Sequence, residues 1–170
     1  SIGIYSYELY KFYGVENIIR IGSAGSYVAR LNVRDVVLAE KAFSESTYAL
    51  YQNGEKSHTL YPSPHINDIV IKKAEELGIE CKMGIVHSSD VFYSEPVIGG
   101  WEAIRDRTQS DCVEMESYAL FHNANVLGKN AACLLTISDS FVTKCELSAE
   151  ERQNSFNTMM RLALETAIAL

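Results

Sequence analysis

The chain has 170 residues, a formal net charge of −7 and a pI of about 5.1. That acidity argues against a general nucleic-acid binder, which would show a basic face, but leaves room for a local cationic site for phosphate. At 47% hydrophobic the chain can build a real core, and its length predicts a single domain over residues 1–170.

Cys81, Cys112, Cys133 and Cys145 show no CxxC or metal-like spacing. Three fall in apolar stretches and read as buried thiols, which fits a reducing, cytoplasmic setting. No apolar run is long enough to span a bilayer, and no signal peptide is visible.

In chain order, Ile2, Tyr5, Leu9, Phe12 and Tyr13 recur at helical spacing, with Gly14 as the stop. Val15 to Ile21 reads as a strand, and Gly22-Ser23-Ala24-Gly25-Ser26 as a tight loop after it. Such a loop is an ordinary turn or an anion cradle, since small residues let backbone N–H groups approach an oxyanion. Arg20, a charge inside an apolar strand, favours the cradle, because a buried guanidinium needs a partner and phosphate suits its fork.

Asp35 to Phe43 predicts a strand, and the polar stretch Ser44 to Tyr61, with Asn53-Gly54, a surface excursion or hairpin. Pro64 opens a helix whose apolar face is Ile66, Ile69, Val70, Ala74 and Leu77, ended by Gly78. Glu80 to Val86 is a further strand, followed by Ser88 to Ser94. The adjacent aromatics Phe92 and Tyr93 there read first as core, and second as a wall against which a flat ring stacks. Trp101 to Arg107 predicts a short amphipathic helix after a glycine-rich loop.

Val113-Glu114-Met115-Glu116 is the centre of the chain. Two carboxylates two apart cannot share a helical face. The stretch therefore reads as a strand running into the helix Ser117 to Leu127, with one carboxylate aimed at a ligand and the other into supporting structure. The strand Asn130 to Ile137 leads to Ser138-Asp139, and Asp139 to Leu147 predicts an irregular flap. Ser148 and Glu151 form a capping box for a last helix that buries Phe156, Met160, Ala163 and Ala167. Arg152 lies in the first turns of that helix, the less favourable end for a cation, and Asp139 is its candidate partner.

Strands and helices alternate, which predicts a three-layer α/β/α domain on a largely parallel sheet. In open α/β sheets ligands sit at the carboxyl ends of strands, and Ser23, Phe92, Glu116 and Asp139 all follow predicted strands. Glu116 and Asp139 are expected to meet across one pocket closed on its far side by Arg20 and Ser23.

Ile19-Arg20-Ile21-Gly22-Ser23-Ala24-Gly25, Ser89 to Ser94, Val113 to Glu116, Ile137-Ser138-Asp139 and Ala149-Glu150-Glu151-Arg152-Gln153 together resemble the bacterial, hexameric type of purine nucleoside phosphorylase. The resemblance runs from Tyr5 to the C-terminus, with the motifs in family order. It implies the nucleoside phosphorylase fold, built on a distorted mixed sheet, and reversible cleavage of purine ribo- or deoxyribonucleosides by phosphate. It implies no cofactor or metal beyond inorganic phosphate as co-substrate, no nucleic-acid or membrane partner, and a homo-oligomer, a hexamer built as a trimer of dimers.

By resemblance Arg20 and Ser23 are phosphate ligands, Glu116 holds the ribose hydroxyls and Met115 lines the sugar pocket. Phe92 packs on the base with Val113 and Ser138 beside it. Asp139 protonates purine N7, and Arg152 pairs with that acid. The acid must hold a proton near neutral pH, which desolvation favours. Arg152 is therefore expected to close on it only when the flap shuts. Glu114 reads as structural, and His58, His65, His87 and His122 as core or surface residues.

The family pattern opens with a segment not found in this sequence, so either the true N-terminus is missing from the sequence or the chain is a degenerate relative. In the family it supplies the first strand, further phosphate and sugar ligands, and residues lent to a neighbouring subunit. On the sequence as it stands phosphate rests on Arg20 and Ser23, and an exposed sheet edge or apolar face is expected. Ala24 and Ser140 also depart from the usual residues. The alternatives are an adenine-nucleoside hydrolase similar to methylthioadenosine nucleosidase, which Arg20 disfavours, and a non-catalytic truncated relative. Uridine phosphorylase is disfavoured because no Gln/Arg pair suits a pyrimidine.

Overall fold

The computed structural model describes residues 1–154 and 156–170. Its elements in chain order are α1 (Ile2–Phe12), β1 (Asn17–Ser26), β2 (Val36–Phe43), α2 (Tyr48–Asn53), β3 (Thr59–Leu60), α3 (Pro64–Leu77) and β4 (Cys81–Ser88). A single 3-10 turn (Pro96–Ile98) precedes α4 (Gly100–Thr108), β5 (Cys112–Glu114), α5 (Ser117–Leu127), β6 (Asn130–Ser140), α6 (Ala149–Asn154) and α7 (Asn157–Ile168).

Among the described residues the strands form one mixed sheet in the order β3-β2-β4-β5-β1-β6. β1–β6, β2–β4 and β4–β5 run parallel, while β1–β5 and β2–β3 run antiparallel. An antiparallel pairing of Val36–Leu38 with Leu134–Thr136 joins β2 to β6, so the sheet bends back on itself. Register shifts at Ala24/Gly25 and Ala39/Lys41 supply the distortion, since a bulge bends its strand and raises the local twist.

The core lies on both faces of this sheet. β6 is buried over nearly its whole length because its alternate side chains serve two cores. Ala131, Cys133, Leu135 and Ile137 pack with α1 and α5, against Tyr10, Leu120 and Phe121. Ala132 and Leu134 pack on the other face with Ile66 and Val70 of α3 and Met159 and Leu162 of α7. Each of these leucines, fully buried, contributes about 1.5–3 kcal/mol. The three-layer α/β reading therefore holds, on a distorted mixed sheet.

Several local expectations are corrected. Gly22 to Ser26 is not a loop but the second half of β1, paired with Leu135 to Ser140 of β6. A run of small residues reads as a turn only when no neighbouring strand takes up its backbone groups. The stretch Ser44 to Tyr61 contains α2, closed by Gly54 at φ 86, and the short strand β3. α1 forms as expected but docks by a different face. Ser6 and Tyr10 are buried, while Tyr5, Phe12 and Tyr13 stand exposed. Polar fits fix that face: Asn123 donates to Gly3 O and to Ser6 Oγ at 2.8 Å each, and Tyr10 donates to Asn130 O at 2.7 Å.

The capping box is present, with Ser148 N–H on Glu151 Oε2 at 2.9 Å and Glu151 N–H on Ser148 Oγ at 3.2 Å. The single last helix, however, is two, α6 and α7, and the expected helix crosses residue 155, outside the described residues. The new start shifts the helical phase. Met159, Leu162, Ala163 and Thr166 are buried, while Met160 and Ala167 face a cavity of about 580 Å³ beside Ile19 and Ile21 of β1. No described helix is long and apolar enough to cross a membrane.

Candidate active site

β5, β1 and β6 lie side by side, and their register sets the site. Gly25 is opposite Val113 on one side and Asp139 on the other, with His87 of β4 opposite Val113 in turn. Val113 and Asp139 thus stand two strand spacings apart, roughly 10 Å, at one end of the sheet. Gly25 allows a close approach here. Its φ is not positive, but a Cβ would sit 2.8 Å from Asp139 Oδ2 and 2.8 Å from the Phe141 ring.

One flank carries the charge cluster. Arg20 lies opposite Cys133 in the β1–β6 register, and its guanidinium folds over Gly22, where a Cβ would run into it. Its Nη2 pairs with Glu116, and its Nε lies 3.3 Å from Glu114 Oε2. Nη1 is buried with no hydrogen-bond partner among the described residues. Burial opposes the guanidinium charge, but the anionic surroundings outweigh it and raise its pKa.

The two carboxylates sit in different surroundings. Glu114 is buried and accepts the Glu116 N–H at 2.9 Å, the Ser117 N–H at 3.0 Å and the Ser117 hydroxyl at 2.6 Å. It therefore satisfies free donors at the start of α5. Burial pushes its carboxyl pKa up, and Arg20 opposes that shift. Glu116, at the N-cap of α5, is half-buried, and its Oε2 also accepts the Met115 N–H at 3.2 Å.

The other flank carries Asp139. It lies inside β6 rather than after it, and its backbone bridges to Glu146. Ser138 donates to Asp139 Oδ1 at 2.7 Å, and Arg152 Nη2 stands 3.9 Å from the same oxygen. Arg152 is held off by its own Nε–H, which donates to Leu147 O at 3.1 Å. The flap expected over Asp139 to Leu147 is a compact turn. Ser140 N–H donates to Cys145 O, Lys144 N–H to Ser140 O, and Leu147 N–H to Ser138 O, each at 2.8 Å. Ser140 is buried as a turn residue, its Oγ accepting the Thr143 N–H at 3.2 Å.

Two expected residues stand apart from these contacts. Ser23 is exposed on β1 opposite Thr136. Phe92 is 76% exposed, its ring 4.9 Å from that of Tyr93. The first expectation for Phe92 and Tyr93, that they are core, is thereby corrected: the loop after β4 carries them out of the fold. Sequence reasoning missed Gly22 and Gly25 as sites of close approach, and the Phe141 ring near Asp139. The glycines were visible as a motif; the contacts at Gly25 are tertiary, and those at Gly22 come from Arg20 two residues earlier on the same strand.

The whole chain, residues 1–170, matches the phosphorylase superfamily. This chain belongs to that superfamily. Among curated members, the purine nucleoside phosphorylase of the DeoD type from Mycoplasma pneumoniae is 42% identical, over 100% of this chain and 71% of its own length. The Mycoplasma genitalium protein of the same name is 43% identical, over 97% of this chain and 69% of its own length. Among solved structures, a methylthioadenosine/S-adenosylhomocysteine nucleosidase from Campylobacter jejuni superposes with a TM-score of 0.85 at 19% identity, covering 99% of this chain and 76% of that one. Futalosine hydrolase from Helicobacter pylori gives 0.78 at 20%, covering 99% and 75%. At such identities the superpositions establish the fold alone.

Proposed function

We propose that this chain is a purine nucleoside phosphorylase, a pentosyltransferase that reversibly cleaves purine ribo- and deoxyribonucleosides with phosphate to the free base and (deoxy)ribose 1-phosphate. Relatives at 42% and 43% identity carry that name. The observation that carries the reading is the division of the site. A guanidinium with a buried, unpartnered nitrogen stands beside a half-buried carboxylate on one flank, and the Asp139 side chain, accepting the Ser138 hydroxyl, stands on the other.

In this reading phosphate takes Arg20 Nη1 and the Ser23 hydroxyl. An oxyanion there supplies the acceptor that a buried N–H lacks, and leaving such a group unpaired costs about 1–3 kcal/mol. Glu116 accepts the ribose hydroxyls, and Met115 packs on the sugar. The base lies toward Val113 and Ser138, with Phe92 as the outer face. Cleavage builds positive charge on the sugar and negative charge on the purine. Glu116 and the phosphate dianion stabilise the first, and proton transfer from Asp139 to N7 removes the second. Arg152 then moves the short remaining distance onto Asp139 as the proton leaves.

A homo-oligomer, a hexamer assembled as a trimer of dimers, and a cytoplasmic setting complete the proposal. The exposed apolar side chains of α1 suit an assembling protein, and free cysteines suit a reducing compartment. No metal or organic cofactor enters the chemistry.

The hydrolytic alternative has one observation in its favour: two of the three Arg20 nitrogens are already engaged by glutamates. Product analysis separates the two. Incubation of inosine with the chain and phosphate is expected to yield ribose 1-phosphate in equal amount to hypoxanthine. Free ribose in its place would make the chain a nucleosidase.

A further inference from the structure

Three aromatic rings from distant parts of the chain, Tyr27, Trp101 and Phe141, meet next to the turn that follows Asp139. Phe141 lies two residues beyond the acid, and its N–H donates to Ser26 O at 3.0 Å, which ties the turn to the end of β1. Its ring centroid is 5.4 Å from that of Tyr27 and 6.1 Å from that of Trp101, at 27° to the indole. Trp101, on α4, stacks on Tyr27 at 6.4 Å and 13°, and Arg105 covers the indole at 5.4 Å. Tyr27 is buried and anchored by its N–H on Asp111 O at 2.8 Å, so the stack rests on a fixed base.

The edge of this stack reaches the acid. A side chain at Gly25 would meet Asp139 Oδ2 and Phe141 Cε2 at the same 2.8 Å, so the carboxylate and the ring edge lie over one glycine. Phe141 remains 37% exposed. An aromatic ring that is anchored on one side, open on the other and adjacent to a carboxyl is a surface for a flat ligand.

We propose that Phe141 is a positioning residue for Asp139, held in place by Trp101 and Tyr27, and that its open face packs on the purine edge nearest the acid. The proposal rests on the phosphorylase reading for its catalytic part but makes a binding claim independent of turnover. Phe141 fixes where the base lies relative to the Asp139 carboxyl. Trp101 fixes Phe141. Neither touches the phosphate side of the site.

Trp101 is the sole tryptophan of the chain, so its emission reports on the stack directly. The test titrates hypoxanthine and adenine into the wild-type chain and into Phe141→Ala, Trp101→Ala and Trp101→Phe, following Trp101 emission where it is present. Inosine phosphorolysis and thermal unfolding are measured alongside.

The expected result has four parts. Wild-type emission changes saturably with base, and Phe141→Ala loses that response. Phe141→Ala and Trp101→Ala lower kcat by about 10–100-fold, the scale of a small misplacement of a reacting group. The KM for phosphate stays unchanged. Trp101→Phe, which preserves a ring in the stack, restores most of the rate. A merely structural role would lower stability and activity together and would not spare the phosphate KM.

Wild-type turnover in Phe141→Ala, or a loss confined to the phosphate KM, would overturn the proposal. If the wild-type chain turns over no nucleoside at all, the phosphorylase reading fails first, and the emission titration still decides the wall. A saturable response abolished by Phe141→Ala supports it, and an unresponsive wild type refutes it.

Discussion

Arg20 and Glu114 face each other in the buried floor of the site, Nε to Oε2 at 3.3 Å, with side chains 13% and 1% exposed. Glu114 also holds the start of α5, so the ion pair joins the proposed phosphate ligand to the helix that carries Glu116. Removing one member of a buried pair strands the other charge, at about 3–5 kcal/mol. Arg20→Met is expected to destabilise by that order as well as weaken phosphate binding, and Arg20→Met with Glu114→Gln to recover part of the stability but none of the phosphate affinity. Denaturant unfolding of the double-mutant cycle measures the coupling. Additive effects would mean that the pair does no structural service.

Gly25→Ala puts a methyl between Asp139 and Phe141, where both neighbours lie 2.8 Å from the new atom. Overpacking of this kind costs about 1–3 kcal/mol. Because the displaced groups are the acid and its aromatic neighbour, kcat is expected to fall more than stability requires. Steady-state kinetics beside thermal unfolding checks this. A variant with wild-type kcat would show that Asp139 does not depend on that close approach.

Arg152 stands 3.9 Å from Asp139 while its Nε–H is spent on Leu147 O. An approach made only as the proton leaves contributes to the transition state and not to the ground state. Losing a charge-assisted contact of about 1.5–3 kcal/mol at that point lowers kcat by about 10–100-fold. Arg152→Ala is expected to show that loss with an unchanged nucleoside KM. An unchanged rate on nucleoside would remove Arg152 from the mechanism.

His87 is buried among Tyr27, Phe43 and Glu45. Burial lowers its pKa, Glu45 opposes the shift and Arg107 adds to it; burial lowers that of His122 as well. The unfolded chain takes up these protons near pH ~6.5 and the folded chain does so only at lower pH, so the unfolded state binds more protons in between. Stability is therefore full above about pH 6.5 and falls as the pH drops below it. Thermal unfolding across this range should show Tm falling on the acid side, and less steeply in His87→Gln. An equal slope in both proteins would assign the acid sensitivity elsewhere.

Much of the fold was legible because its strongest signals are local. The apolar run ending at Ile137 is continuous since both faces of β6 are covered, and Ser148 and Glu151 cap α6 by a pattern four residues long. In the proposed reading the site motifs answer to residue types. Phosphate chemistry asks for an arginine, sugar hydroxyls for a carboxylate, and a purine leaving group for an acid. What escaped depends on partners distant in sequence. Whether Gly22 to Ser26 turns or runs straight is decided by β6, and which face α1 buries is decided by Asn123. The meeting of Phe141, Trp101 and Tyr27 joins residues far apart along the chain, and no spacing in the sequence reports it.

Base release from adenosine, inosine and guanosine, with and without phosphate, on the wild-type chain and on Asp139→Asn, is the most direct test of a phosphorylase with Asp139 as its acid. Release is expected to require phosphate, and to fall about 10²–10⁴-fold in Asp139→Asn, the usual cost of losing one acid catalyst. Release that ignores phosphate, or an Asp139→Asn chain as fast as wild type, would contradict it.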